Sequence, residues 1–539
     1  MTNIVDHSTV GLHGRATTAQ PGTFHVYDTT LRDGAQQESM RLTVADKLRI
    51  TGYLDELGVG WIEGGWPGAN PNDTAFFAAA ADELNLKNAT LVAFGATRRA
   101  GVRAAEDPQV QALVDSLAST ICLVAKSHRG HVERALRTTG EENLAMISDT
   151  VGFLVDQGRR VFLDCEHFFD GYRLDPDYAL EVVRTASRAG AEVVVLCDTN
   201  GGMLPSWVHE IVSEVAKLEV PLGVHCHNDT GCAVANTLAA VDAGAIHVQG
   251  TINGYGERTG NADLIPVIAN LELKYGWELL PEGRLAEATR ISNAIAAVTN
   301  VVGSPRQPYV GASAFAHKAG LHASAIRIDP NLYQHIDPAV VGNGMRTLVS
   351  DMAGRANIQL KGSELGFDLS DRELAATVTG VVKEREARGY SYEAADASFA
   401  LLLTEYVGER PAEAFTVDHW RIHSGADHTG RTVNEATVKL TANDETHLVV
   451  GEGNGPVNAL DQALRRGLSM AYPRIADFEL VDYKVRILDS THGTDATTRV
   501  MIDTSDGERT WTTVGVGSNI IDASWEALVD SFRYGLLRA

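Results

Sequence analysis

Between Phe24 and about Leu273 the chain repeats one pattern eight times: a short apolar, β-like run and then a longer amphipathic stretch. The β-like runs are Phe24–Tyr27, Gly60–Ile62, Thr90–Phe94, Thr120–Val124, Arg160–Leu163, Val193–Leu196, Leu222–Val224 and Ile246–Gln249. The stretches between them, such as Val44–Leu57, Asn143–Gln157, Pro176–Ala189, Pro205–Leu218 and Ala233–Ala243, place apolar residues at helical spacing. Eight strand–helix units in about 250 residues is the arithmetic of a closed (β/α)8 TIM barrel. A doubly wound open sheet is the alternative. Eight regular units without a dinucleotide-binding fingerprint favour closure.

After the barrel the pattern changes twice. Residues 284–404 read as mostly helical, with loop signals at Gly303-Ser304-Pro305 and Asp337-Pro338, and are expected to form helical linker subdomains. Over residues 405–539 β-alternation returns. Phe415–Ile422, Ala436–Thr441 and His447–Val450 lead into the helical stretch Val457–Leu468. Phe478–Leu488, Thr498–Asp503 and Thr510–Val516 lead in the same way into Ser524–Leu537. The strand–helix joints match as well, Gly451-Glu452-Gly453-Asn454-Gly455 in one copy and Gly515-Val516-Gly517-Ser518-Asn519 in the other. This is an α+β module of two βββα repeats, suited to ligand sensing, dimerisation or a structural cap. The expected plan is therefore a polar, flexible tail (1–22), a catalytic barrel (23–283), the helical linker and the duplicated module.

A chain of 539 residues with 44% hydrophobic residues can bury several cores. Its formal charge of −24 argues against nucleic acid or an anionic membrane as the main partner. No apolar run is long enough to span a bilayer, and the five cysteines include no C-x-x-C pair, which fits a reducing, cytoplasmic setting. Small substrates are the expected partners.

In a closed barrel the C-terminal ends of the strands form one rim, where active sites sit. Asp28, Glu63, Asp164 and His225 each follow directly on a β-like run, Asp198 follows one after Cys197, and the five mark that rim. One or two such carboxylates would do only capping work. In His225-Cys226-His227-Asn228-Asp229 the two histidines share a face of an extended strand, while Cys226 points the other way. Taken alone, such a pair can equally be two satisfied structural histidines. Arg32-Asp33 past the first run and Asn261 after the eighth supply a guanidinium, a carboxylate and an amide oxygen. Two His, one Asp and one amide oxygen form a mixed nitrogen and oxygen set suited to a divalent metal, Mg²⁺ or Mn²⁺ before Zn²⁺ or Co²⁺. The Arg32 guanidinium could polarise a carbonyl oxygen or an oxyanion.

Three motifs carry a family resemblance. Asp28-Thr29-Thr30-Leu31-Arg32-Asp33-Gly34, His225-Cys226-His227-Asn228-Asp229 and Gly256-Glu257-Arg258-Thr259-Gly260-Asn261 resemble the acyl-CoA-dependent 2-oxo acid synthases. That family comprises the 2-isopropylmalate, homocitrate and citramalate synthases, with hydroxymethylglutaryl-CoA lyase as a relative. Ala35-Gln36, Gly64-Gly65-Trp66-Pro67-Gly68-Ala69-Asn70-Pro71 and Glu166-His167-Phe168-Phe169-Asp170-Gly171 resemble its citramalate synthase branch most. Ser127-His128-Arg129-Gly130-His131 departs from that branch in lacking a Trp.

The resemblance implies a metal-dependent Claisen condensation of acetyl-CoA with pyruvate and hydrolysis of the thioester, giving (R)-citramalate for isoleucine synthesis. The alternative is the 2-isopropylmalate synthase reaction on 2-oxoisovalerate, for leucine. It further implies Asp33, His225, His227 and Asn261 around the metal, Arg32 on the keto oxygen and Thr199 on the carboxylate of the oxo acid. Glu166, His322 and Tyr333 would be catalytic, with His317 the competitor of His322 and either Glu166 or His322 the base. For the duplicated module it implies a homodimer and feedback inhibition by isoleucine or leucine.

Overall fold

The computed structural model of the protein describes residues 24–407, 414–488 and 496–537, so the tail expected over 1–22 lies outside the described residues. The chain divides into two compact units. One holds the described residues up to Phe315 together with His335–Gly344. The other holds Ala316–Gln334 and the described residues from Met345 onward.

In the first unit eight parallel strands close into a barrel in chain order. They are β1 (His25–Asp28), β2 (Trp61–Gly65), β3 (Thr90–Ala96), β4 (Thr120–Lys126), β5 (Arg160–Glu166), β6 (Val193–Asp198), β7 (Leu222–Cys226) and β8 (His247–Gly250). Closure is made by β8 on β1, with His25 opposite His247 and Asp28 opposite Gly250. The two-residue period of the strands sorts their side chains into two layers. Val26, Ile121, Val161, Leu163, Val194 and Leu196 face outward into the main core with the surrounding helices. Tyr27, Cys122, Phe162, Val193 and Val195 fill the interior. Fully burying each Val, Leu, Ile or Phe contributes about 1.5–3 kcal/mol.

Four of the barrel's helices, Pro71–Glu83, Pro108–Asp115, Pro176–Ala189 and Pro205–Ala216, begin with proline, whose fixed φ suits the first helical turn. Asn70, Asp107 and Asp175 accept hydrogen bonds from backbone N–H groups at the starts of the first three. Each strand runs one to three residues past its apolar run. Asp28, Glu63, Asp164, Asp198 and His225 therefore lie within the strands rather than just beyond them. The backbone ladder continues where the hydrophobic pattern stops, because the mouth needs polar side chains.

The first unit also runs past residue 283, the sequence-based end of the barrel. Ile291 and Ile295 of the helix Ala288–Thr299, with Tyr309, Val310, Phe315 and Val341, are buried in the barrel's main core.

The second unit contains the short parallel pair β9 (Ala316–His317) and β10 (Arg346–Thr347) and the helices Arg355–Glu364, Arg372–Ala387 and Asp396–Thr404. Two three-stranded antiparallel sheets follow. β11 (Phe415–Ala426), β12 (Thr432–Ala442) and β13 (Glu445–Gly453) precede the helix Pro456–Ser469. β14 (Glu479–Ile487), β15 (Thr498–Ser505) and β16 (Thr510–Gly517) precede Ile520–Leu537. The duplicated glycines of the joints are where each helix meets its sheet. A Cβ on Gly451 would lie 2.3 Å from the backbone nitrogen of Ala463, and one on Gly515 2.1 Å from the carbonyl oxygen of Ala523.

Candidate active site

β7 ends on His225 and Cys226, and the chain then turns so that His227 bridges to Asn261. Asp33, in the turn after β1, faces both rings. Its Oδ2 lies 3.3 Å from Nε2 of His225 and 3.8 Å from Nε2 of His227. Cys226 is buried on the opposite face, in the main core, as strand alternation requires. Asn261 donates to Oδ1 of Asp33 at 3.3 Å and to the carbonyl of Tyr255 at 2.9 Å, while its buried Oδ1 has no hydrogen-bond partner. One carboxylate, two imidazole nitrogens and an unclaimed amide oxygen thus converge at the barrel mouth. That donor set fits a divalent cation, and the orphaned Asn261 oxygen is the kind of buried acceptor such an ion would satisfy.

The electrostatics agree with that fit. Burial alone would raise the Asp33 carboxyl, but Arg32, His225 and His227 hold it far below the usual range, so it is ionised. Burial, reinforced by His225, lowers His227 to about 4, which keeps its imidazole neutral at pH 7. His225 is raised, because Asp33 outweighs the effect of burial.

Arg32 is held on three sides. Its Nε donates to the buried Glu63 of β2, its Nη1 donates to Asp33 at 3.1 Å, and its guanidinium lies 3.8 Å from the centre of the Phe94 ring. Tyr27 donates to the other oxygen of Glu63 at 2.7 Å. Below the histidines a second polar layer runs across the barrel. His225 Nδ1 lies 2.8 Å from Gln249 Oε1, Gln249 Nε2 donates to Asp164 Oδ1 at 3.0 Å, and the Cys122 thiol donates to the same oxygen at 3.3 Å. Burial pushes the Asp164 carboxyl up.

The five polar residues of the expected rim thus divide by task. Asp28 accepts from the backbone and hydroxyl of Thr30, and Asp198 accepts from the backbone of Gly202 and Met203, so both shape turns. Glu63 and Asp164 brace the site from below, and His225 belongs to it.

Glu166 closes β5 and is ion-paired to Lys126 at the end of β4. Thr199 follows β6, and its hydroxyl accepts from the backbone N–H of His167 at 2.8 Å, leaving its own proton to donate. Beside Glu166, in the stretch that lacks the expected Trp, the rings of His128 and His131 stand 4.4 Å apart, and His131 stands 4.2 Å from His167.

The chain matches the HMGL-like family over residues 23–295, a region that contains every residue of the cluster above. It is 65% identical to the (R)-citramalate synthase of Streptomyces coelicolor over 97% of this chain and 98% of that protein. The chain belongs to the HMGL-like family, in its (R)-citramalate synthase branch. Within that branch it is also 48% identical to the enzyme of Synechocystis over 95% of this chain and 96% of that one. A probable 2-isopropylmalate synthase of Methanopyrus kandleri stands further off, at 34% over 94% of this chain and 97% of its own. The remainder of the chain matches the homocitrate synthase post-HMGL domain over 309–389 and the LeuA allosteric (dimerisation) domain over 393–536.

His322 and Tyr333 belong to the second unit, apart from the barrel residues. Their rings stack with centroids 4.2 Å apart, and His317 lies edge-on to His322 at 6.2 Å. Of the two histidines, His322 is the one paired with Tyr333. Sequence reasoning missed Gln249. The one available signal was a buried-strand amide at the position that pairs with His225 in the β7–β8 register.

Proposed function

We propose that this chain catalyses the condensation of acetyl-CoA with pyruvate and hydrolysis of the resulting thioester, giving (R)-citramalate and free CoA. The observation that carries this reading is 65% identity to an (R)-citramalate synthase along essentially the whole chain, with Arg32, Asp33, His225, His227 and Asn261 gathered at one barrel mouth. Asp33, His225, His227 and Asn261 would hold a divalent metal, Mg²⁺ or Mn²⁺, which when bound polarises the keto oxygen of the oxo acid. Arg32, its Nε and Nη1 already engaged, offers Nη2 to that oxygen as charge develops there. The Thr199 hydroxyl donates to the pyruvate carboxylate and fixes which face of the keto carbon is exposed. The acetyl methyl loses a proton to Glu166 or to His322, directly or through water, and its carbon attacks the keto carbon. The keto oxygen takes up a proton to become the tertiary hydroxyl, and water cleaves the thioester, releasing CoA. Tyr333, stacked on His322, orients that imidazole.

The C-terminal module serves as a dimerisation and feedback unit, with isoleucine or leucine as effector and a cytoplasmic homodimer as the working form. Support comes from its match to the LeuA allosteric (dimerisation) domain. The module also contains a cavity of about 840 Å³ in which the Asp461–Arg465 ion pair sits beside the apolar Val457 and Phe478. Paired charges beside apolar side chains suit an amino acid with a branched aliphatic side chain. Among the described residues no helix is long and apolar enough to cross a membrane.

The deciding assay is CoA thiol release from acetyl-CoA with pyruvate, 2-oxobutanoate, 2-oxoisovalerate and 2-oxoglutarate in Mg²⁺ or Mn²⁺. Preference for pyruvate is expected, and preference for 2-oxoisovalerate would make the protein a 2-isopropylmalate synthase instead. Exchange of the acetyl methyl protons with solvent, compared in Glu166→Gln and His322→Ala, separates the two candidate bases.

A further inference from the structure

The geometry points to Gln249 and Asp164 as positioning residues that set the tautomer of His225 and aim its Nε2 lone pair at the metal position. This rests on the metal reading above and adds residues that it does not use. Oδ1 of Asp164 receives both the Cys122 thiol at 3.3 Å and Gln249 Nε2 at 3.0 Å. An oxygen that receives two donors acts as an acceptor, so the Gln249 amide must turn its NH₂ toward it. The other end of the amide is then fixed as a carbonyl, and Gln249 Oε1 lies 2.8 Å from His225 Nδ1. A carbonyl can only accept, so His225 must carry its proton on Nδ1. A neutral imidazole protonated there has its lone pair on Nε2, the nitrogen that stands 3.3 Å from Asp33 Oδ2.

His225, Asp164 and Gln249 are all buried, so water does not compete for the amide. Register holds the chain of bonds together, since Gln249 pairs with His225 across β7 and β8. Cys122, the last donor, faces inward from β4. His227 has no counterpart, because its Nδ1 is buried without a partner. The two ligand histidines are therefore not equivalent: one is pre-set by the barrel, and the other is left to be oriented by the ion. Outer partners of this kind typically change metal affinity about 10–100-fold when removed.

Two measurements on the full chain test the assignment. The first is ¹⁵N NMR of the histidine rings in metal-free wild type, read above the pH at which His225, raised by Asp33, gives up its second proton, so that the tautomer of the neutral ring is observed. Protonation at Nδ1 is expected, and protonation at Nε2 would overturn the proposal whatever the variants do. The second is Mn²⁺ titration followed by calorimetry, with circular dichroism to confirm folding. Gln249→Leu should weaken Mn²⁺ binding about 10–100-fold. Asp164→Asn, whose amide oxygen can still accept from Gln249 Nε2 and the Cys122 thiol, should keep most of the wild-type affinity. Equal Mn²⁺ affinity in Gln249→Leu and wild type would overturn the relay while leaving the metal site standing. Failure of the wild type itself to bind Mn²⁺ would sink the metal reading, and the NMR result would still decide the tautomer.

Discussion

Arg32 donates through Nε to the carboxylate of Glu63, a residue buried inside the second barrel strand. The guanidinium lies 3.8 Å from the centre of the Phe94 ring, and its Nη1 donates to Asp33 at 3.1 Å. Replacing Glu63 by Gln keeps the shape and removes the charge that anchors Arg32. A misplacement of about 1 Å at a reacting group can cost about 100-fold in rate. We expect Glu63→Gln to lower kcat/KM for CoA release by about that factor while the circular dichroism spectrum stays that of the wild type.

His227 contributes to the site and little to the fold, since its Nδ1 bonds to nothing. His227→Ala should abolish CoA release and remove Mn²⁺ binding at concentrations that saturate the wild type. The melting temperature of the metal-free protein should move by only a few degrees, in line with a loss of about 1–2 kcal/mol. A collapse of the metal-free fold would show that the ring is structural instead.

Burial lowers His167 to about 4, with His131 and Lys126 adding to the shift and Glu166 opposing it. The folded-state value thus lies below the ordinary 6.5 of the unfolded chain. As pH falls through 6.5 the unfolded state takes up a proton that the folded state refuses until about 4, so stability drains away across that window. His167→Gln should flatten the fall in melting temperature between pH 6.5 and 4. An unchanged slope would place the acid sensitivity elsewhere.

The sheet–helix contacts of the duplicated module leave no room for a side chain at Gly451. A valine there would drive its Cβ to within 2.3 Å of the Ala463 nitrogen and 2.5 Å of the Ala459 carbonyl oxygen. Overpacking of this kind costs about 1–3 kcal/mol, occasionally more. Gly451→Val should lower the unfolding midpoint of the module and loosen the dimer, read by sedimentation, while the metal-binding titration of the barrel stays as in the wild type. Valine at Gly52, whose added Cβ meets nothing within 4 Å, is the control.

Much of the barrel is legible in the sequence because Val193–Leu196 and its counterparts are apolar on both faces, as strands between an inner filling and an outer ring must be. Strand ends are less legible. Glu63, Lys126 and Glu166 break the apolar pattern while their backbones stay in the ladder. The extent of the barrel unit is harder still. The helix Ala288–Thr299 has the same amphipathic character as the barrel helices, and nothing local says that Ile291 and Ile295 insert into the same core. Of the site, Asp33, His225, His227 and Asn261 stand in short motifs and can be read. The groups beneath them cannot, because the contact of Gln249 with Asp164 spans 85 positions and depends on which way each strand faces.

Gly451 and Gly515 bring helix and sheet together backbone to backbone, and this limits how the module can move. A helix seated that closely cannot slip along its sheet by a turn, since every step would drive a side chain into a carbonyl or an amide. Each set of three strands and one helix is therefore a single stiff plate. Any signal that an effector sends from this half of the chain must travel as a tilt of one plate against the other.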